Sequence, residues 1–259
     1  MELRDKVAIV TGASQGIGRA ISIALAKEGA SVVLASRNEA KLEETAQIIK
    51  SNGGTSLKIR TDVSKEVEVK NMVQKTLETF GTIDILVNNS GIAGPTARCE
   101  DVTLEEWEET MAVNLRGPFL CCKYVIPTLK AKKSGRIIHI GSISSKRPLQ
   151  NRTPYTTSKM GLIGFNRTLA VELGPFNITV NLICPGATAG ERLDNVMTTM
   201  GKALGKSYEE MATTFKALSP LNRFVNAEDI ANMVVYLASD KAKNITGQDI
   251  NVCGGIIMY

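Results

Sequence analysis

The chain has 259 residues, 43% of them hydrophobic, and a formal net charge of +5, which fits one large α/β domain or two small ones. No linker rich in Pro, Ser and Gly, no internal repeat and no low-complexity segment divides it, so residues 1–259 read as a single domain. The charge is modest and no basic stripe with interleaved aromatics marks a nucleic-acid partner; the N-terminal residues are unlike a signal peptide and no apolar run is long enough to span a membrane, so a cytoplasmic location is expected.

Short β-rich runs alternate with longer amphipathic ones, the pattern of a doubly wound parallel sheet with helices on both faces, a Rossmann-type α/β fold. Val7 to Val10 reads as the first strand. A glycine-rich turn, Thr11 to Gly18, then opens a helix with Ile17, Ala20, Ile21, Ala24 and Leu25 on one face, stopped near Gly29. Ser31 to Ser36 predicts a second strand, Glu39 to Lys50 a helix, and Ser56 to Arg60 a third strand running out at Asp62. Further strands are predicted at Ile83 to Val87, Arg136 to Ile140, Thr179 to Ile183 and about 249–252, with helices near 65–79, 103–130, 155–173 and 227–238. Lys130, Lys132, Lys133 and Arg136 cluster where the helix near 103–130 ends, complementing its dipole.

In such a sheet, ligands bind outside the carboxyl ends of the strands where the winding reverses. The residues there are Gly12 to Gly18, Ser36-Arg37, Asp62-Val63, Asn88 to Gly91, Ser142 and Pro185-Gly186, all polar, small or turn-forming. Glycines at 12, 16 and 18 let the backbone turn tightly and approach a pyrophosphate at the helix N-terminus. An NAD-selective site usually ends its second strand with a carboxylate. Here Ser36 and Arg37 stand in that place, which predicts NADP(H) over NAD(H), with NAD(H) still possible.

Tyr155 and Lys159 are four residues apart, so a helix puts ammonium and phenol on one face. A phenol ordinarily ionises at a pKa of about 10, and a neighbouring cation lowers this toward neutrality, making it a usable acid or base. Thr153 is the expected N-cap of this helix and Pro154 its first residue. Cys99, Cys121, Cys122, Cys184 and Cys253 are odd in number and lack metal-ligand spacing, so reduced, mostly buried thiols are expected and no metal. The only histidine, His139, lies in an apolar run and reads as a packed strand residue, which argues against a Ser-His-Asp hydrolase.

Taken in order, Thr-Gly-x-x-x-Gly-Ile-Gly at 11–18, Asp62-Val63, Asn88-Asn89-Ser90-Gly91, Asn114, Ser142, Tyr155-x-x-x-Lys159 and Pro185-Gly186 resemble the short-chain dehydrogenase/reductase family, single-domain branch, over nearly the whole chain. The resemblance implies that Tyr155 is the general acid/base and that Lys159 lowers its pKa and holds the nicotinamide ribose. It implies that Ser142 polarises a substrate carbonyl and that Asn114 anchors a water-linked proton relay. For the cofactor it implies Gly12, Ser14, Gln15, Gly16, Ile17 and Gly18 at the turn, Ser36 and Arg37 after the second strand, Asp62 and Val63 at the adenine, and Asn89, Ser90 and Gly91 at its ribose. Pro185 and Gly186 belong to the same set, and Thr188 is the candidate for a nicotinamide contact because Gly190 stands where the family often has threonine. A homotetramer, or a homodimer, is implied as well, with contacts through the helices near 103–130 and 155–173.

Residues 187–220 are the substrate-covering segment by the same resemblance. Lys146, Arg147, Gln150, Asn151 and Arg152, between Ser142 and Tyr155, raise the expectation of an anionic or strongly polar substrate group. Three function classes follow: an NADP-dependent oxidoreductase for a secondary alcohol and a ketone, including reduction of 3-oxoacyl thioesters; a nucleotide-binding protein that has lost the chemistry; and an epimerase or dehydratase with tightly held NAD. Intact Ser142, Tyr155, Lys159 and Asn114 speak against the second, and the chain length and glycine spacing against the third.

Overall fold

The computed structural model describes residues 1–259, Ala203 by its backbone alone. Seven strands, β1 (Val7–Thr11), β2 (Ser31–Ser36), β3 (Thr55–Arg60), β4 (Ile85–Asn88), β5 (Gly135–Ile140), β6 (Ile178–Pro185) and β7 (Asp249–Val252), form one sheet in the order β3-β2-β1-β4-β5-β6-β7. Every neighbouring pair is parallel. Parallel strands need crossovers, and these are α1 (Gly16–Lys27), α2 (Glu39–Ser51), α3 (Glu66–Phe80), α4 (Leu104–Met111), α5 (Gly117–Lys132) and α6 (Thr153–Leu173), followed by α7 (Glu191–Leu204), α8 (Tyr208–Ala217) and α9 (Ala227–Ala238) before the last strand. The winding reverses between β1 and β4, which opens a crevice beyond their carboxyl ends.

Side chains of successive strand residues alternate between faces, and the core divides accordingly. Ala8 and Val10, with Val32, Leu34, Ile85 and Val87, face α1, α2 and α9 through Ile21, Leu25, Leu42, Ile49, Ile230 and Val234. Ile9 and Val33, with Leu86, Ile137 and Val180, face α3, α5 and α6 through Val69, Met72, Leu120, Val125, Leu129 and Leu173. Both faces are therefore covered, and the strand ends are the place left for a ligand. No helix is long and apolar enough to cross a membrane.

The predicted helix near 103–130 is interrupted. Thr103 and Glu106 close a capping box on α4, residues 112–116 then form a π-type turn, and α5 begins at Gly117. Strand β4 starts at Ile85, two residues after the predicted start, and runs one residue further, to Asn88, whereas β6 extends to Pro185. In residues 187–220, α7 and α8 bury Met197 and Met211 and leave most other side chains partly or wholly exposed.

The N-cap of α6 is Arg152, not Thr153, which is already helical; Pro154 is accordingly the second helical residue, still among those whose N–H would have no helical partner. The shift follows from Asn151, whose left-handed backbone (φ 61°) turns the chain into the helix one residue early.

All five cysteines are free; Cys99 is exposed and the other four are buried. His139 is fully buried on β5, with Nδ1 3.2 Å from Asn88 Nδ2 and its ring 5.5 Å from that of Phe165. Burial, aided by the charge of Lys159, pushes its pKa down from 6.5 to about 3. The folded state thus holds the imidazole neutral where the unfolded chain would protonate it. Stability contributed by His139 is complete above about pH 6.5 and is lost as pH falls toward about 3. The slope is about 1.4 kcal/mol per pH unit. Equilibrium unfolding measured across that window should show a shallower loss of stability in His139→Leu than in the parent protein, and an unchanged slope would contradict a buried neutral imidazole.

Candidate active site

The glycine turn is fixed by sterics. Gly12 and Gly16 have φ of 67° and 53°, and a Cβ on Gly18 would stand 2.1 Å from the Gly12 carbonyl oxygen. The turn is also tied to the end of β4. Thr11 Oγ1 accepts from the backbone N–H groups of Asn89 and Ser90, both at 3.0 Å, while Asn89 Nδ2 donates to the carbonyls of Thr11 and Gly12. From the other side, the Arg19 guanidinium donates to Ser14 O and Thr45 Oγ1 and pairs with Glu44. Thr11 opens the motif, whereas Arg19 and Thr45 are supporting residues that the motif alone did not single out.

This turn fits a pyrophosphate. Gln15, the N-cap of α1, makes no side-chain capping bond, the first turn of α1 carries no acidic residue, and nothing lies within 4 Å of where a Gly16 side chain would project. The first amides of α1 are therefore free to donate to an anion.

At the end of β2, Ser36 Oγ donates to Ser14 Oγ at 3.0 Å and Arg37 is exposed. A second cation stands here: Lys41 Nζ lies 2.6 Å from Gln15 Oε1 and 3.9 Å from Glu191 on α7. It comes from α2, and so had no signature beside the glycines. Asp62 accepts from the N–H and hydroxyl of Ser64. Burial would raise its carboxyl, but the Ser64 hydrogen bonds and the charges of Arg37 and Lys65 outweigh this and hold it below the usual carboxylate range. The Val63 side chain is buried in the core against Gly117, which leaves its backbone at this strand end. At the end of β6, Thr188 Oγ1 donates to Gly186 O, and a Cβ on Gly186 would meet Cys253 Cα at 2.8 Å.

The predicted catalytic residues converge. Lys159, 3% exposed, donates to the carbonyl of Ile140 at 2.8 Å, and its Nζ is 5.9 Å from the centre of the Tyr155 ring. Gly91 lies beside both groups: a Cβ there would crowd Asn114 Oδ1 at 3.2 Å and touch the ammonium at an ordinary contact distance of 3.6 Å. Asn114 is fully buried in the π-type turn; its side chain accepts from Ile92 N, donates to Ile92 O, and donates to Ser158 Oγ, which donates to Tyr155 O. Ser158, three residues after Tyr155, is thus a link between Asn114 and the start of α6 that the sequence reading missed.

Ser142 Oγ accepts from Ser144 N at 3.0 Å, which orients the side chain and leaves its O–H free to donate. Burial would raise the Tyr155 phenol. The charge of Lys159, then that of Arg192, the Ser142 hydroxyl and the charge of Arg152 more than offset this, and the phenol sits below its usual pKa. Lys159 is lowered too, by burial first and by Arg192, against the opposing pull of Tyr155.

The basic residues before Tyr155 separate. Lys146 turns away: its ammonium is buried on Asp249 at 2.9 Å and donates to the carbonyl of Tyr259. Arg147 and Gln150 are exposed. Arg152 alone reaches the phenol, with its guanidinium carbon 5.2 Å from the ring centre, and it is joined by Arg192 of α7 at 6.0 Å.

The comparisons bear on the family and the fold. A family profile described as Enoyl-(Acyl carrier protein) reductase matches residues 12–257. A 3-oxoacyl-(acyl-carrier-protein) reductase of Staphylococcus epidermidis is 38% identical, over 98% of this chain and 100% of that protein. Among solved structures, an actinorhodin polyketide ketoreductase with NADPH superposes with a TM-score of 0.95 at 34% identity, over 98% of both chains. An NAD+-bound xylitol dehydrogenase superposes with a TM-score of 0.95 at 28% identity, over 98% of this chain and 100% of that one. With its parallel sheet, its free helix terminus and its Ser142, Tyr155 and Lys159 in one cleft, this chain belongs to the short-chain dehydrogenase/reductase family, oxidoreductases that use NAD(P)(H).

Proposed function

We propose that the protein is an NADP-dependent oxidoreductase interconverting a secondary alcohol and a ketone, with Tyr155 as its acid/base. The observation that carries this reading is the buried Lys159 ammonium beneath a phenol of lowered pKa. A bound nicotinamide supplies or takes the hydride. The protein's own part in reduction is to stabilise the charge growing on the carbonyl oxygen and to protonate it. The Ser142 O–H donates to that oxygen, Tyr155 delivers the proton, and Lys159 stabilises the phenolate left behind. Asn114, through Ser158, holds the start of α6 and thereby the phenol in register with Ser142.

Ser36, Arg37 and Lys41 support NADP(H): a hydroxyl and two cations stand where a carboxylate would repel a 2′-phosphate. The similarity to a 3-oxoacyl thioester reductase favours such a thioester as a second substrate for the same chemistry. A homotetramer belongs to the same proposal. Phe119 on α5 and Met160 and Val171 on α6 are large exposed apolar side chains on the helices that would make the contacts.

Tyr155→Phe should lower kcat about 10²–10⁴-fold while cofactor binding by fluorescence titration persists; retained turnover would remove Tyr155 from its role. The pH profile has a definite sign. Reduction needs the phenol and falls as pH rises through the lowered pKa of Tyr155, whereas alcohol oxidation needs the phenolate and rises there. Removing a neighbouring cation with Arg192→Gln should move both midpoints to higher pH. Wild-type kcat/KM should be higher with NADPH than with NADH, and Lys41→Ala should reduce that preference about tenfold; a clear preference for NADH would overturn the cofactor assignment.

A further inference from the structure

Two arginines face the Tyr155 ring without an acidic partner. Neither Arg152, which is half-buried, nor Arg192 forms an ion pair with any carboxylate within 4.0 Å among the described residues; Arg19, Arg60, Arg136 and Arg167 do, and the remaining arginines, like these two, do not. The acids nearest Arg192 in sequence are engaged elsewhere: Glu191 lies 3.9 Å from Lys41, and Asp194 accepts a hydrogen bond of 2.6 Å from the Tyr208 hydroxyl. With Lys159, three cations converge on one aromatic ring. Lys159 is buried, Arg152 half-buried and Arg192 exposed; like charges gathered at one ring repel one another, and an arriving anion relieves that repulsion.

Arg152 is held in place before any ligand arrives. Nη1 donates to Thr96 Oγ1 at 2.9 Å and Nη2 to the carbonyl of Ala93 at 2.7 Å, while Nε is buried with no acceptor. The backbone before it is set by the left-handed Asn151, whose carbonyl accepts from Ala97 N at 3.0 Å. Two of the five donors of the fork are thus used by the loop after β4, and a buried donor remains unmet. Arg192 comes from the other wall, in the first turn of α7.

We propose that Arg152 and Arg192 clamp an oxyanion carried by the substrate within a few bonds of its reacting carbon, so that the preferred substrate is a small oxo acid or hydroxy acid. The clamp rests on the oxidoreductase reading for the identity of the reacting carbon, but anion binding itself does not. Guanidinium forks match carboxylate and phosphonate oxygens in pairs, and a site against the Tyr155 ring suits an acid group close to the carbonyl. A long neutral acyl thioester places no charge there.

The test compares acetoacetate and 2-oxopropylphosphonate with 4-hydroxy-2-butanone, a neutral ketone of similar size, using the full chain and NADPH. Wild-type kcat/KM should favour at least one anion, and the ratio of anionic to neutral kcat/KM should fall about 100-fold in Arg152→Ala and in Arg192→Ala. Arg152→Lys should restore part of the ratio, since it keeps the charge without the fork. The better of the two oxyanions tells carboxylate from phosphonate. Calorimetric titration of the NADP+-loaded protein with the same anions gives a readout independent of turnover, and affinity should weaken about 100-fold in either alanine variant. A wild-type preference for the neutral ketone would overturn the clamp. So would a ratio unchanged in both variants, as expected if the arginines only stack on the ring or tune the phenol. If no probe is reduced but an anion binds and the variants abolish binding, the clamp stands and the oxidoreductase reading fails; absence of anion binding and of anion reduction sinks the clamp.

Discussion

The site depends on a buried positive charge. Lys159 sits 3% exposed with one carbonyl acceptor, that of Ile140 at the end of β5. Removing an ammonium from water is costly unless it is paired, and this one has only a carbonyl dipole and a phenol to pair with. The cost is offset most fully when Tyr155 is ionised, which is the physical reason the phenol is acidic. Helix α6 provides the four-residue spacing and β5 the carbonyl. Each of these elements would serve an ordinary α/β fold equally well with leucine at 159; the charge converts the arrangement into chemistry.

Around that charge the sheet brings together residues far apart in the chain. The carboxyl ends of β1 and β4 diverge into crossovers on opposite faces, and one hydroxyl, Thr11 Oγ1, joins them by accepting from Asn89 and Ser90. The nucleotide turn and the loop that flanks Lys159 are therefore mechanically one unit. Arg19 does the same on the outer side, fastening the turn to α2. On the substrate side, Lys41 touches both Gln15 and Glu191, so the first turn of α7 rests against the mouth of the nucleotide site.

Much of this was legible in the sequence because it follows from period and sterics. Alternating apolar residues give the strands their two faces, and glycines at 12, 16 and 18 announce a tight turn in which a side chain at 12 or 18 would collide with backbone or Asn89. Tyr155 and Lys159 were legible through helical spacing, and Ser142 and Asn114 through the family pattern. What escaped was long-range or local beyond the motif. Lys41 and Arg192 reach the cleft from helices whose packing angle no periodicity encodes, and nothing in the motif showed that the Val63 side chain packs into the core beside Gly117. Lys146 shared a basic stretch with Arg152, yet Asp249, a hundred residues away, pulls it to the other side. The interruption at 112–116 was invisible because its residues have ordinary helical propensity.

That interruption constrains how the chain can vary. In a regular helix, adding or removing one residue rotates everything beyond it by about 100°; here residues 112–116 already contain the wider turn, with Gly117 N bonded back to Ala112 O. Losing a single residue there would restore a regular helix and swing Asn114 away from Ile92 and Ser158, or else turn the buried face of α5 off the sheet. Length changes are readily absorbed in exposed loops such as 147–150. In the middle of this helical pair, the count of residues is itself part of the active site.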